Sequence, residues 1–152
     1  MKKVSCLVVV AALLICNQVN AQQGKYVNSA SARMVKLIDQ ANSNGYKLQN
    51  DGFSIGGGWL KQGRDNWVPI FSTTLKAGQE YRLIAVGDMD AKDVDIQVTN
   101  EAGQIVASDT AASPEAIVNF RPTATGRYTI RLRLYASQGD VPSVCLCILL
   151  TR

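Results

Sequence analysis

The sequence predicts a mainly β protein, an antiparallel β-sandwich or barrel with a short N-terminal α-helix. Three observations predict it. From Phe53 onward, short apolar alternations of period two recur, each bounded by Gly, Pro, Asn, Asp or Ser. One stretch ahead of them repeats its apolar residues at helical spacing instead. The chain, at 152 residues, is long enough for one self-sufficient core and no more is needed.

The first element is a targeting segment. Lys2 and Lys3 precede an apolar run from Val4 to Ile15, and a polar flank ends in the small residue Ala21. That is the layout of a secretory signal peptide over residues 1–21, cleaved after Ala21, with an apolar run too short to span a membrane comfortably. A lipid anchor on Cys16 is the rival reading, but Ile15 stands where that processing needs a small residue. The expected location is periplasmic or secreted, with no transmembrane segment in the mature chain. Residues 22–152 then form a single domain. Removing residues 1–21 takes two lysines from the 16 basic residues and leaves all 12 acidic ones, so the net charge falls from +4 to +2. A charge that small, spread along the chain, is no nucleic-acid footprint.

The helix is expected over about residues 29–44. Asn28 or Ser29 can cap its start, Gly45 suits a left-handed end, and Ala30, Met34, Leu37, Ile38 and Ala41 make one apolar side. The strands expected after it are Phe53–Ile55, Trp67–Leu75, Tyr81–Val86, Val94–Thr99, Gln104–Ser108, Ala116–Phe120, Arg127–Tyr135 and Ser143–Thr151. In "YTIRLRLY", Tyr128, Ile130, Leu132 and Leu134 face inward, and Thr129, Arg131, Arg133 and Tyr135 face water.

Four aspartates crowd the entrance to one strand. In "GDMDAKDVDIQVT", Val94, Ile96 and Val98 share the inner face, which puts Asp93 and Asp95 on the outer one. Asp88 and Asp90 lie in the preceding loop. Oxygen-only ligands of this kind suit Ca²⁺, although the spacing is not that of an EF-hand. Two readings stand: a Ca²⁺ site at Asp88, Asp90, Asp93 and Asp95, or a solvated acidic edge that discourages sheet-to-sheet pairing.

The stretch from Leu75 to Tyr135 carries further marks: Leu75, Gly78 and Tyr81 in "LKAGQEY", Asp93 and Asp95 around Val94, Gly103 in "NEAGQIVASD", and Gly126 and Tyr128 in "FRPTATGRYTIRL". This pattern resembles the bacterial pre-peptidase C-terminal domain, a small β-sandwich of jelly-roll character. The resemblance implies a non-catalytic module of the kind appended to secreted peptidases. Some relatives in collagenases bind Ca²⁺ and collagen, which bears on the aspartates. The residues beyond the match leave no room for a peptidase domain.

Two further groups are candidate site residues. Trp59 and Trp67 flank a glycine-rich stretch and could together offer a stacking platform for sugar rings or a peptide, Trp59 from a mobile glycine loop, or pack against the sandwich. Glycines 56–58 lack the lysine and hydroxyl residue of a phosphate-binding loop. Cys145 and Cys147 lie two apart in the last strand, roughly 6.5 Å between Cα atoms, at the limit for a disulfide. Reduced apolar packing, a bridge across a local kink, a bridge between chains, and a redox or metal pair without histidine neighbours are the readings left open.

Histidine is absent. That removes Ser–His and Cys–His nucleophile pairs and most zinc and copper sites. No carboxylate pair across a cleft is legible either, so no enzyme activity is expected. The expected function is an exported, non-catalytic binding or accessory module of the bacterial envelope, modulated by Ca²⁺ if the aspartates bind it, with a protein or polysaccharide partner. The alternative is a structural envelope component acting by self-association or assembly with another protein.

Overall fold

The computed structural model describes residues 4–49 and 54–152 of the chain, with side chains from Gly24 onward. Helix α1 runs from Val4 to Ser43. It is longer than the 29–44 segment expected, because no glycine or proline interrupts the chain from Val4 to Gln23. The cleavage point expected after Ala21 lies within this helix.

Its C-terminal half is built into a core. Ala30, Met34, Leu37 and Ala41 are buried, at the helical spacing read from the sequence, with Ile38 partly so. Full burial of a Met or Leu side chain is worth about 2 kcal/mol, so this stripe anchors the helix. The end is sharp: Gly45 takes φ +83°, and the amides of Gly45 and Tyr46 donate back to the carbonyls of Asn42 and Ala41 at 2.9 and 3.1 Å. Glycine is the residue that enters this left-handed turn without strain.

The strands are β1 (Lys47–Leu48), β2 (Ile55–Leu60), β3 (Val68–Leu75), β4 (Tyr81–Gly87), β5 (Ala91–Thr99), β6 (Ile105–Asp109), β7 (Glu115–Phe120), β8 (Gly126–Ser137) and β9 (Ser143–Thr151). They form two antiparallel sheets. One, ordered β1-β9-β4-β7 with β2 also on β9, carries α1 on its outer face. The other, β3-β8-β5-β6, has no such cover among the described residues. The molecule is thus a sandwich with a helix on one side, and we call the second sheet the open sheet.

Two strands of the helix-side sheet are apolar on both faces, and the layering explains why. On β9, Cys145, Cys147 and Leu149 point into the sandwich, while Val144, Ile148 and Leu150 meet the helix. On β4, Leu83 and Ala85 face inward and Ile84 and Val86 face the helix. The open sheet keeps strict alternation. Val94, Ile96, Val98, Ile130, Leu132 and Leu134 are fully buried, as the sequence pattern requires.

The glycine-rich stretch is not a loop. It is strand β2, with Gly56, Gly57 and Gly58 paired to Cys147, Leu146 and Cys145. The reason is close approach. A Cβ on Gly57, at φ +148°, would stand 2.1 Å from the carbonyl oxygen of Cys145, and one on Gly56 2.4 Å from Ile70 Cγ2. Only glycine lets β2 lie this near its neighbours. The strand expected at Phe53–Ile55 therefore starts at Ile55 and runs on to Leu60. Phe53 itself lies outside the described residues.

Candidate functional site

The four aspartates part company in the fold. Asp88 is fully buried at the β4–β5 turn. Its Oδ1 accepts the amides of Asp90 and Ala91 at 3.0 and 3.3 Å, and its Oδ2 accepts the amide of Val144 at 2.6 Å. This carboxylate ties the turn to β9 and is filled by backbone donors. Asp90, at the same turn, faces the helix, where its charge beside Tyr26 holds that phenol above its ordinary value. Asp93 and Asp95 stand on the outer face of the open sheet. Among the described residues, no group of three or more carboxylate, cysteine or histidine side chains could hold a metal ion. A Ca²⁺ site made by all four aspartates does not fit this geometry. The residues belong to one strand entrance in sequence, but the turn sends them to opposite sides of the sandwich.

The tryptophans are also separated. Trp59 is on β2, about half exposed, with its ring edge-on to Tyr26 of the helix at 5.4 Å between centroids. Trp67 lies just before β3, on the open sheet, half-buried over Arg133. No shared stacking platform forms. Cys145 and Cys147 are buried and unbridged, side by side in the sandwich core. Burial pushes the Cys145 thiol up to about 12, with the Asp88 carboxylate adding to it, and raises Cys147 further. Neither is poised for redox or metal chemistry.

What the open sheet does assemble is a band of polar and aromatic side chains. At its centre the Arg133 guanidinium lies between two rings, 4.6 Å from the centroid of Trp67 and 4.8 Å from that of Tyr135. Its Nε donates to Asp95 Oδ2 at 2.7 Å, and its Nη1 donates to the carbonyl of Arg64. Asp95 is nearly inaccessible, and burial raises its pKa despite the opposing pull of Arg133. Removing either partner would strand a buried charge. The stack is therefore fixed in place before any ligand arrives.

Beside it, Asp93, Asp95, Thr110, Ala112, Arg133 and Tyr135 line a cavity of about 350 Å³. Burial raises the pKa of Asp93, and the neighbouring Asp95 charge raises it further. Its Oδ1 is inaccessible and has no hydrogen-bond partner among the described residues. In the other direction along β8, a groove of about 470 Å³ runs past Arg131, Thr129 and Arg127, with Pro69, Thr99 and Glu101 on its walls. Charged, hydroxyl and aromatic groups alternate along one face. Sequence reading placed Arg131, Arg133 and Tyr135 on a wet face without assigning them work. The available signal was their shared parity with Arg127 in "RYTIRLRLY", which puts three arginines and a tyrosine on one side of one strand.

No protein-family model matches the chain, and no curated protein matches it in sequence. Parts of the chain are similar to solved structures. The pre-peptidase C-terminal domain of a collagenase from Bacillus anthracis is similar over 64% of this chain and 88% of that one, at 12% identity and a TM-score of 0.49. PliG, a periplasmic inhibitor of g-type lysozyme from Aeromonas hydrophila, is similar over 68% and 91%, at 13% identity and a TM-score of 0.42.

Proposed function

We propose that this protein is a non-catalytic binding module, working outside the cytoplasm, whose ligand lies across the open sheet. One observation carries the reading. The outer face of one sheet is closed by α1, while the outer face of the other is left open and carries the prearranged Trp67–Arg133–Tyr135 stack. Rigid aromatic and guanidinium groups fixed in advance lose little freedom on binding. Export rests on the basic, apolar and small-residue layout of residues 1–21.

The test uses the chain's two tryptophans. A Trp59→Phe variant leaves Trp67 as the only indole, and its emission is followed while dextran, polygalacturonate and gelatin are added in turn. The expected result is a saturable change with at least one of them, lost in Tyr135→Ala. Silence with all three would sink the reading.

A specific observation favours assembly as a second reading. Met34, Val35, Ile38, Leu48, Ile55 and Ile148 line an apolar groove of about 270 Å³ between α1 and the edge of the helix-side sheet. Val35, Leu48 and Ile55 are each about half exposed there. Sedimentation over a hundredfold concentration range separates the two readings. Assembly predicts a mass that rises with concentration and falls back in Val35→Lys.

A further inference from the structure

Two arginines on the open sheet have no carboxylate partner among the described residues. Arg133 is matched by Asp95. Among the described residues neither Arg127 nor Arg131 makes an ion pair, and Arg131 only donates to the carbonyl of Trp67 at 3.1 Å. Both line the same groove, where Glu101 is the one carboxylate on the walls. A guanidinium presents a flat fork of donors that fits carboxylates in a two-point contact.

The spacing limits what can fill it. Four residues along a strand place Arg127 and Arg131 roughly 13 Å apart. A single carboxylate cannot reach both, so the complementary ligand repeats its charges along a chain. The groove between them mixes hydroxyl and amide groups, from Thr99, Thr129 and Asn100, with the apolar ring of Pro69. Thr129 sits midway, bonded to Ser72 at 2.8 Å, with Thr99 alongside. Beyond Arg131 the face leads to the Trp67–Arg133–Tyr135 stack, whose rings suit the apolar faces of sugars.

We infer that Arg127, Thr129 and Arg131 form the docking row for an acidic polysaccharide, whose successive carboxylates meet the two guanidiniums. This rests on the open sheet being the ligand face, and names the class of ligand it takes. An acidic protein segment would satisfy the charges but would leave the hydroxyl row and the rings unused.

The experiment is calorimetric titration of the full-length chain at low ionic strength. The probes are polygalacturonate, dextran and poly-L-glutamate, the two polyanions matched in charge. Polygalacturonate is expected to bind, and its affinity to fall at least tenfold in Arg127→Gln/Arg131→Gln and again as salt is raised. Dextran and polyglutamate are expected to bind at least tenfold more weakly. Equal binding of polyglutamate would overturn the inference in favour of an acidic protein partner. Unchanged affinity in the double variant would overturn it as well. If the double variant has a lowered thermal midpoint, Arg127→Gln alone, at an exposed position, decides with an expected loss of at least threefold. Dextran binding as tightly as polygalacturonate, with Trp67 emission responding, would overturn the acidic class and leave the open-sheet reading standing. If no polymer binds and Trp67 stays silent, both fall.

Discussion

Asp88 and Asp93 are five positions apart, and the fold gives their carboxylates opposite surroundings. Asp88 receives three backbone amides in a fully buried site. Charge-assisted bonds of this kind are worth more than neutral ones, and their loss leaves buried donors unsatisfied. Asp88→Ala should therefore lower stability by about 3 kcal/mol, read by denaturant unfolding. Asp93 is held above its ordinary pKa of 3.8, first by burial and then by Asp95. Its folded pKa exceeds its unfolded one, so the folded state binds more protons between the two values. Stability then falls as pH rises through that window. Asp93→Asn removes this cost. The variant should unfold at a higher temperature than the parent at pH 7, and the gap should close as the pH falls below the ordinary carboxylate range. Neither role is legible in "GDMDAKDVDIQVT", because four like side chains in a row do not tell which way a turn will send each one. The alternation of Val94, Ile96 and Val98 did fix the face of Asp93 and Asp95. Nothing local fixed the third donor to Asp88, the Val144 amide, which comes from β9, 56 residues away.

At the scale of the element, the glycines of β2 make the sharpest forecast. Gly57 has both a backbone angle that other residues rarely adopt and a carbonyl in the space a side chain would take. Gly57→Ala should cost about 3 kcal/mol and loosen β2 from β9. At Gly58 a Cβ would meet nothing within 4 Å, so Gly58→Ala should stay within about 0.5 kcal/mol of the parent. Equal costs at the two positions would contradict this account of β2. The strand was hidden because three glycines read as a turn when only local preference is consulted. Their meaning is tertiary: they let β2 approach Cys145 and Ile70. By contrast β5 and β8, with one dry and one wet face, were readable from alternation alone. The continuous apolar run of β9 also carried information that period two obscures. A strand covered on both sides has no polar face, and "SVCLCILL" is covered by the sandwich on one side and α1 on the other. The same layering makes Cys145 and Cys147 inert. Thiol reagents at pH 8 should label neither in the native chain and both after unfolding.

The whole molecule is asymmetric across its layers, and the proposed function rests on that asymmetry. The helix seals one sheet through Ala30, Met34, Leu37 and Ala41, and Arg33 reinforces the seal by donating to the carbonyl of Gly87 at 2.9 Å. The opposite sheet devotes its outer face to Arg133, its two flanking rings, two carboxylates, and Arg127 and Arg131 of β8, which make no ion pair among the described residues. The sandwich and the sidedness of β8 were legible in the sequence. It missed which sheet the helix would cover, because that depends on pairing between strands far apart in the chain. If the open sheet is the ligand face, a bound ligand should slow amide exchange there and nowhere else. The decisive measurement is hydrogen–deuterium exchange of the full-length chain with and without saturating polygalacturonate. The account predicts added protection in residues 64–67, 93–103 and 126–137, with α1 and β2 unchanged. Protection confined to α1, β1 and β2 would contradict it and move the binding face to the apolar groove beside the helix.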